Sequence, residues 1–68
     1  MEKFCCRIKE LRLEKGFTQK ELAQKLNTTN SAVCDWEKGR TQPDLQTLAS
    51  IATLFDVSAD YLLGLSDD

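Results

Sequence analysis

Histidine is absent from the 68 residues, proline occurs once and glycine three times. Without histidine the commonest general base is missing, and no serine elbow, glycine-rich phosphate loop or evident cleft-facing carboxylate pair takes its place, so no enzymatic chemistry is expected. A structural metal site normally needs four Cys or His ligands. Three cysteines fall short of that number, and no metal or other cofactor is expected. Long apolar runs are missing as well: MEKFCCRIKE has no hydrophobic segment of the signal-peptide kind, and no stretch approaches the ~20 apolar residues of a membrane span. The expectation is a cytoplasmic protein without membrane contact. Three cysteines cannot all pair within one chain, and the neighbours Cys5 and Cys6 are poor disulfide partners on a helix, which fits a reducing compartment.

The last absence is of one charge sign in one half. Residues 1–40 carry nine Lys/Arg and six Asp/Glu, net +3, whereas residues 41–68 carry five Asp and no cation, net −5. The overall charge of −2 hides this polarity. A basic half is the electrostatic footprint of a surface that meets phosphates, with the acidic half turned away. The composition, 41% hydrophobic and 29% charged, is that of an ordinary globular protein. A chain this short is read as one domain, residues 1–68, whose core supplies only about 3–5 kcal/mol, so a partner subunit would help it.

With so few breakers the chain reads as all-α, a compact bundle of five helices. The first runs from about Glu2 to Lys15, with Phe4, Cys5, Ile8 and Leu11 as its buried stripe, Lys3, Arg7, Lys9 and Lys15 toward the outside, and Gly16 as its stop. Cys5 is read as a small core filler. Thr18 and Glu21 then form a capping box with Phe17 stapled to Leu22, opening a second helix that ends near Leu26. Asn27 tolerates the left-handed conformation of a helix stop, and Thr29 caps a third helix over 30–38. On that helix Val33 and Trp36 fall on one side, and Asn30, Ser31, Cys34, Asp35 and Lys38 on the other. After the loop KGRTQPD, Asp44 caps a fourth helix with Leu45, Leu48, Ala49, Ile51, Ala52 and Phe55 as its inner stripe. Asp56 is its left-handed stop. Val57 and Ser58 repeat the staple and cap for a fifth helix, ending near Leu63.

This order of residues resembles the phage-repressor (Cro/repressor, XRE) family of helix-turn-helix transcription regulators. The resemblance rests on Thr18-Gln19, Leu22-Ala23, Leu26, Asn27, Val33, Trp36-Glu37 and Lys38-Gly39-Arg40. It extends to Arg7-Ile8-Lys9-Glu10-Leu11-Arg12 upstream and to Pro43-Asp44, Leu48, Val57-Ser58 and Tyr61-Leu62-Leu63-Gly64 downstream, and so covers nearly the whole chain. It implies the repressor DNA-binding fold, with the second and third helices as the helix-turn-helix, and a small regulator, a repressor in the first instance, that binds double-stranded DNA. It also implies that Arg12 pairs with Glu37, locking the first helix to the third.

If the third helix enters a major groove, as its counterpart does in that family, its first turn reaches base edges. Asn30 would pair with adenine, Ser31 with a base or a phosphate, and the Ala32 methyl with a thymine methyl. Gln19 and Thr29, at helix starts, and Lys38, Arg40 and Thr41 would hold phosphates. Cys34 would lie against a base or sugar, either as an incidental thiol or as one whose oxidation blocks the interface. Asp35 would either accept a hydrogen bond from cytosine N4 or repel the backbone. The surplus of apolar groups in Tyr61, Leu62, Leu63 and Leu65 suggests a patch shared by two copies, hence a homodimer on half-sites about 34 Å apart. Five helices use up the chain, so no domain for a small-molecule ligand is expected. The competing reading is a protein-binding module of the same fold, an antitoxin-like or adaptor domain, favoured by Asp35 and the overall acidity.

Overall fold

A computed structural model describes residues 2–67, which form five helices and, among those residues, no strand: α1 (Glu2–Glu14), α2 (Gln19–Lys25), α3 (Asn30–Lys38), α4 (Leu45–Phe55) and α5 (Ala59–Leu63). Four of the five begin on a side chain that satisfies a free amide. Thr18 Oγ1 accepts from the Glu21 amide at 3.0 Å while Glu21 Oε1 accepts from the Thr18 amide at 2.8 Å. Thr29, Asp44 and Ser58 accept from the amides of Ala32, Thr47 and Tyr61. Such a cap is worth about 1 kcal/mol, and the bond is made within three residues, so it needs no tertiary help.

Each helix also stops in the same manner, on a left-handed residue followed by a backbone bond five residues back. The pairs are Phe17 N to Arg12 O, Thr28 N to Ala23 O, Arg40 N to Asp35 O, Val57 N to Ala52 O and Leu65 N to Asp60 O. Asn27 and Asp56 occupy two of these stops with φ of 56° and 55°, which only a short polar side chain or glycine takes readily.

The core is drawn from every helix: Phe4, Ile8 and Leu11, then Leu22 and Ala23, Val33 and Trp36, Leu48, Ile51 and Phe55, and Leu62. Phe17 and Val57, which precede the caps Thr18 and Ser58, pack against it. Phe17 also meets Phe55 with ring centroids 6.3 Å apart, tying the start of α2 to the end of α4. α3 packs on both α1 and α2, while α5 packs on α1 and α4. α1 is therefore the shared wall between the α2–α3 pair and α5.

Five expectations change. Leu62 is fully buried and belongs to the core, not to a surface patch. Leu45 is 85% exposed and Ala49 is exposed too, while Leu48, Ile51 and Phe55 are buried and Ala52, half-buried, packs against the core as expected. Cys5 is half-buried at the rim of the core rather than inside it. Arg7, placed outside by helical phase, keeps only 15% of its side chain exposed. Helix α1 ends at Glu14, with the Lys15 amide still bonded to the Leu11 carbonyl.

Candidate nucleic-acid interface

The α2–α3 unit is held by one buried ion pair. Arg12 Nε donates to Glu37 Oε2 at 2.6 Å and Arg12 Nη2 to Glu37 Oε1 at 3.1 Å, a two-pronged contact between α1 and α3. Arg12 Nη1 donates to the Phe17 carbonyl at 2.8 Å, and Gln19 Nε2 donates to Glu37 Oε1 at 3.1 Å. The side chains are 10% and 4% exposed, so neither charge has water to fall back on. Sequence reasoning missed the two outer bonds. Gln19 joins the start of α2 to the end of α3, and Arg12 joins α1 to the residue before the α2 cap, so these two helices share one frame with α1.

That frame presents the first turn of α3 to solvent. Asn30 and Ser31 are exposed with no side-chain obligation to the fold, and Thr29 uses its oxygen for the cap while its hydroxyl proton stays available to an anion. Ala32 and Cys34 are half-buried at the edges of the face, and Ala32 leans on the core. Gln19 is half-buried at the start of α2, with its amide nitrogen already turned to Glu37. Lys38, Arg40 and Thr41 lie together at the far end of α3, all exposed.

The Gly39 stop, at φ 76°, folds the chain back so that the Arg40 amide reaches the Asp35 carbonyl at 2.9 Å. The Arg40 side chain follows, and its Nη1 stands 3.9 Å from Asp35 Oδ1. With 66% of Arg40 exposed, this pair is weak and exchangeable. Asp35 thus faces a cation of its own chain, a partner the sequence did not reveal. A hollow of about 270 Å³ opens beside this loop, lined by Phe4, Cys5, Trp36, Lys38, Gly39, Thr41 and Gln42.

Electrostatically the basic half is thinner than its count suggests. Arg12 is neutralised by Glu37 and Arg7 is turned to the C-terminal segment, whereas Lys38, in the last turn of α3, and Arg40, just beyond it, are exposed. Two carboxylates at helix starts are held below their ordinary range. Glu21 is lowered by the backbone amide of Thr18, then by its hydroxyl, and Asp44 by hydrogen bonds from Thr47. The Cys6 thiol is pushed up by its hydrogen bond with Cys5. Among the described residues no three Cys, Asp or Glu side chains converge on a metal-sized site, and no helix is long and apolar enough to cross a membrane.

Comparison with known proteins places this geometry. The transcriptional regulator ImmR of Bacillus subtilis is 47% identical over 58 residues, 85% of this chain and 46% of its own length. The chain spans about half the length of the curated relatives it matches. Among solved structures, the P22 c2 repressor in complex with a synthetic operator superimposes with a TM-score of 0.83 at 27% identity, over 87% of this chain and 89% of that one. The biofilm master regulator SinR, in complex with DNA, does so with a TM-score of 0.78 at 36% identity, over 88% and 97%. A family model described as helix-turn-helix matches residues 8–62. Its capped second and third helices, their turn at Asn27 and the frame that holds them make this chain a member of the helix-turn-helix family of phage-repressor (XRE) type.

Proposed function

We propose that the chain binds double-stranded DNA as a sequence-specific transcription regulator of the repressor kind, with α3 in the major groove. One observation carries the reading: the exposed, Thr29-capped first turn of α3 is held by the Arg12–Glu37–Gln19 network in a frame that superimposes on two chains solved on DNA. Asn30 and Ser31 read base edges, with Ala32 and Cys34 at the margin of the groove. Thr29 and Gln19 at the helix starts, and Lys38, Arg40 and Thr41 at the far end, meet phosphates on either side. Asp35 acts through Arg40, its neighbour at 3.9 Å, which moves to a phosphate when DNA arrives.

Two copies bind two half-sites one helical turn apart, about 34 Å. Leu63, half-buried, and Leu65, 75% exposed, form the shared surface with the accessible part of Tyr61. Leu62 supports it from within the core. The reading places the protein in the cytoplasm, where such duplexes are found.

Selection from a randomised duplex library tests this, followed by titration of the winner at two salt concentrations under reducing conditions. The expected winner is palindromic and strongly salt-dependent, and Asn30→Ala relaxes its preference at one base position in each half-site. No enrichment, together with negligible binding at low salt, would transfer the fold to a protein partner, with Asp35 as the first residue to replace.

A further inference from the structure

Cys5 and Cys6 are adjacent on α1, and their thiols are hydrogen-bonded to each other. Side chains one residue apart on a helix diverge by about 100°, so a bond between these thiols means that both are turned toward one another. Neither is a core side chain: Cys5 is half-buried, Cys6 is exposed, and neither forms a disulfide. The two sulfurs have different surroundings. Cys5 Sγ lies 3.9 Å from where a Cβ on Gly39 would stand, at the stop of α3, and it lines the hollow of about 270 Å³ together with Phe4, Trp36 and Lys38. Cys6 opens onto a second hollow, beside Lys3, Arg7, Glu10 and Tyr61. The pair therefore reaches solvent on one side and the end of α3 on the other.

Two neighbouring sulfurs without a third donor select the ion they can hold. A structural zinc site needs four ligands, and among the described residues no three Cys, Asp or Glu side chains converge. Glu10, the carboxylate beside Cys6, is a hard donor that a soft ion does not seek. Soft thiolate ligands favour soft ions, and copper(I) and silver(I) are satisfied by two of them.

We propose that Cys5 and Cys6 form a two-sulfur site for a soft monovalent cation, copper(I) or silver(I), and that its occupancy loosens the hold of the α3 end on DNA. The effect on DNA rests on the reading that α3 enters a major groove. On binding, two S–H bonds break and two metal–sulfur bonds form, both protons go to solvent, and no oxidation state changes. Two neutral thiols and one cation thereby become a bis-thiolate with one negative charge. That charge stands at the hollow that Lys38 lines, so Lys38 is drawn from phosphate toward sulfur.

The test is titration of the full reduced chain with silver(I), in chloride-free buffer without added thiol, followed by titration of the selected duplex with and without the ion. Saturation is expected at about one ion per chain with release of about two protons, and zinc(II) is not expected to compete. Cys5→Ser and Cys6→Ser should each weaken uptake by about tenfold or more, whereas Cys34→Ser should leave it within about twofold. Cys6 is exposed, so Cys6→Ser should keep the wild-type thermal midpoint. The silver-loaded chain should bind the duplex roughly three- to tenfold more weakly at low salt, less so at high salt, and the difference should vanish in Cys6→Ser. Uptake that survives in both single variants, or that is lost in Cys34→Ser, overturns the site. Uptake with unchanged duplex affinity overturns the link to DNA. If the chain binds no duplex even without silver, the DNA reading fails, and uptake by the three variants still decides the site.

Discussion

Arg12 and Glu37 show at the residue scale why a buried charge is tolerated only with its partner. Removing one leaves the other in a site without water, so Arg12→Ala is expected to destabilise the fold by about 3–5 kcal/mol in urea denaturation. Replacing both with methionine removes both desolvation terms, and the double variant is expected to lie much closer to wild type. A double variant as unstable as Arg12→Ala would show that the bond from Arg12 to the Phe17 carbonyl dominates. Asp35 is the reverse case, a half-buried charge whose partner Arg40 is exposed and exchangeable. Asp35→Asn frees Arg40 and removes a negative charge from the outward face of α3. Affinity for every duplex is expected to rise roughly three- to tenfold at low salt, and less at high salt. A change confined to one base position would make Asp35 a reader of cytosine instead.

At the scale of elements, the helix starts are sensitive to acid. Glu21 and Asp44 titrate below their ordinary values of 4.5 and 3.8 because amides and hydroxyls bond their charged forms. Their contribution is complete above those ordinary values. As pH falls through them the unfolded chain takes up protons that the folded chain refuses, and stability declines until the folded groups protonate as well. The thermal midpoint should stay level from neutral pH to about pH 5 and fall below it, less steeply in Glu21→Gln. The division of labour within α5 is equally testable. Leu62→Ala should lower unfolding free energy by about 2–5 kcal/mol, whereas Leu65→Ala should change that of the isolated subunit by less than about 0.5 kcal/mol. Equal effects would return Leu62 and Leu65 to a single surface.

For the whole molecule the question is how few cations must hold a duplex. With Arg7 and Arg12 engaged internally, Arg40 is an exposed cation just beyond the end of α3. Arg40→Ala should therefore weaken binding to all sequences and reduce the slope of log affinity against log salt by about one per subunit. Titrations at several salt concentrations read this directly, and an altered base preference with an unchanged slope would move Arg40 from the phosphates to the bases. The acidic half lies in α4, α5 and the turns around them, so repulsion from the duplex is expected to orient the domain as well as weaken it.

Caps, stops and the inward residues of α2 and α3 were legible in the sequence because each depends on bonds within about six residues or on helical phase alone. Thr18 with Glu21, Thr29, Asp44, Ser58 and the left-handed Asn27 and Asp56 are of this kind. The pairing of Arg12 with Glu37 could be read only through family resemblance, since nothing local relates residues 25 apart. Arg7 had a signal that helical phase alone understated: it lies three residues after Phe4 and four before Leu11, on the border of the buried stripe. Whether Leu45 and Ala49 face inward, which leucine of α5 enters the core, and which cation faces Asp35 depend on what packs against each position. Periodicity states that a helix has a buried side. Only the tertiary arrangement decides how far along its length a neighbour is there to cover it.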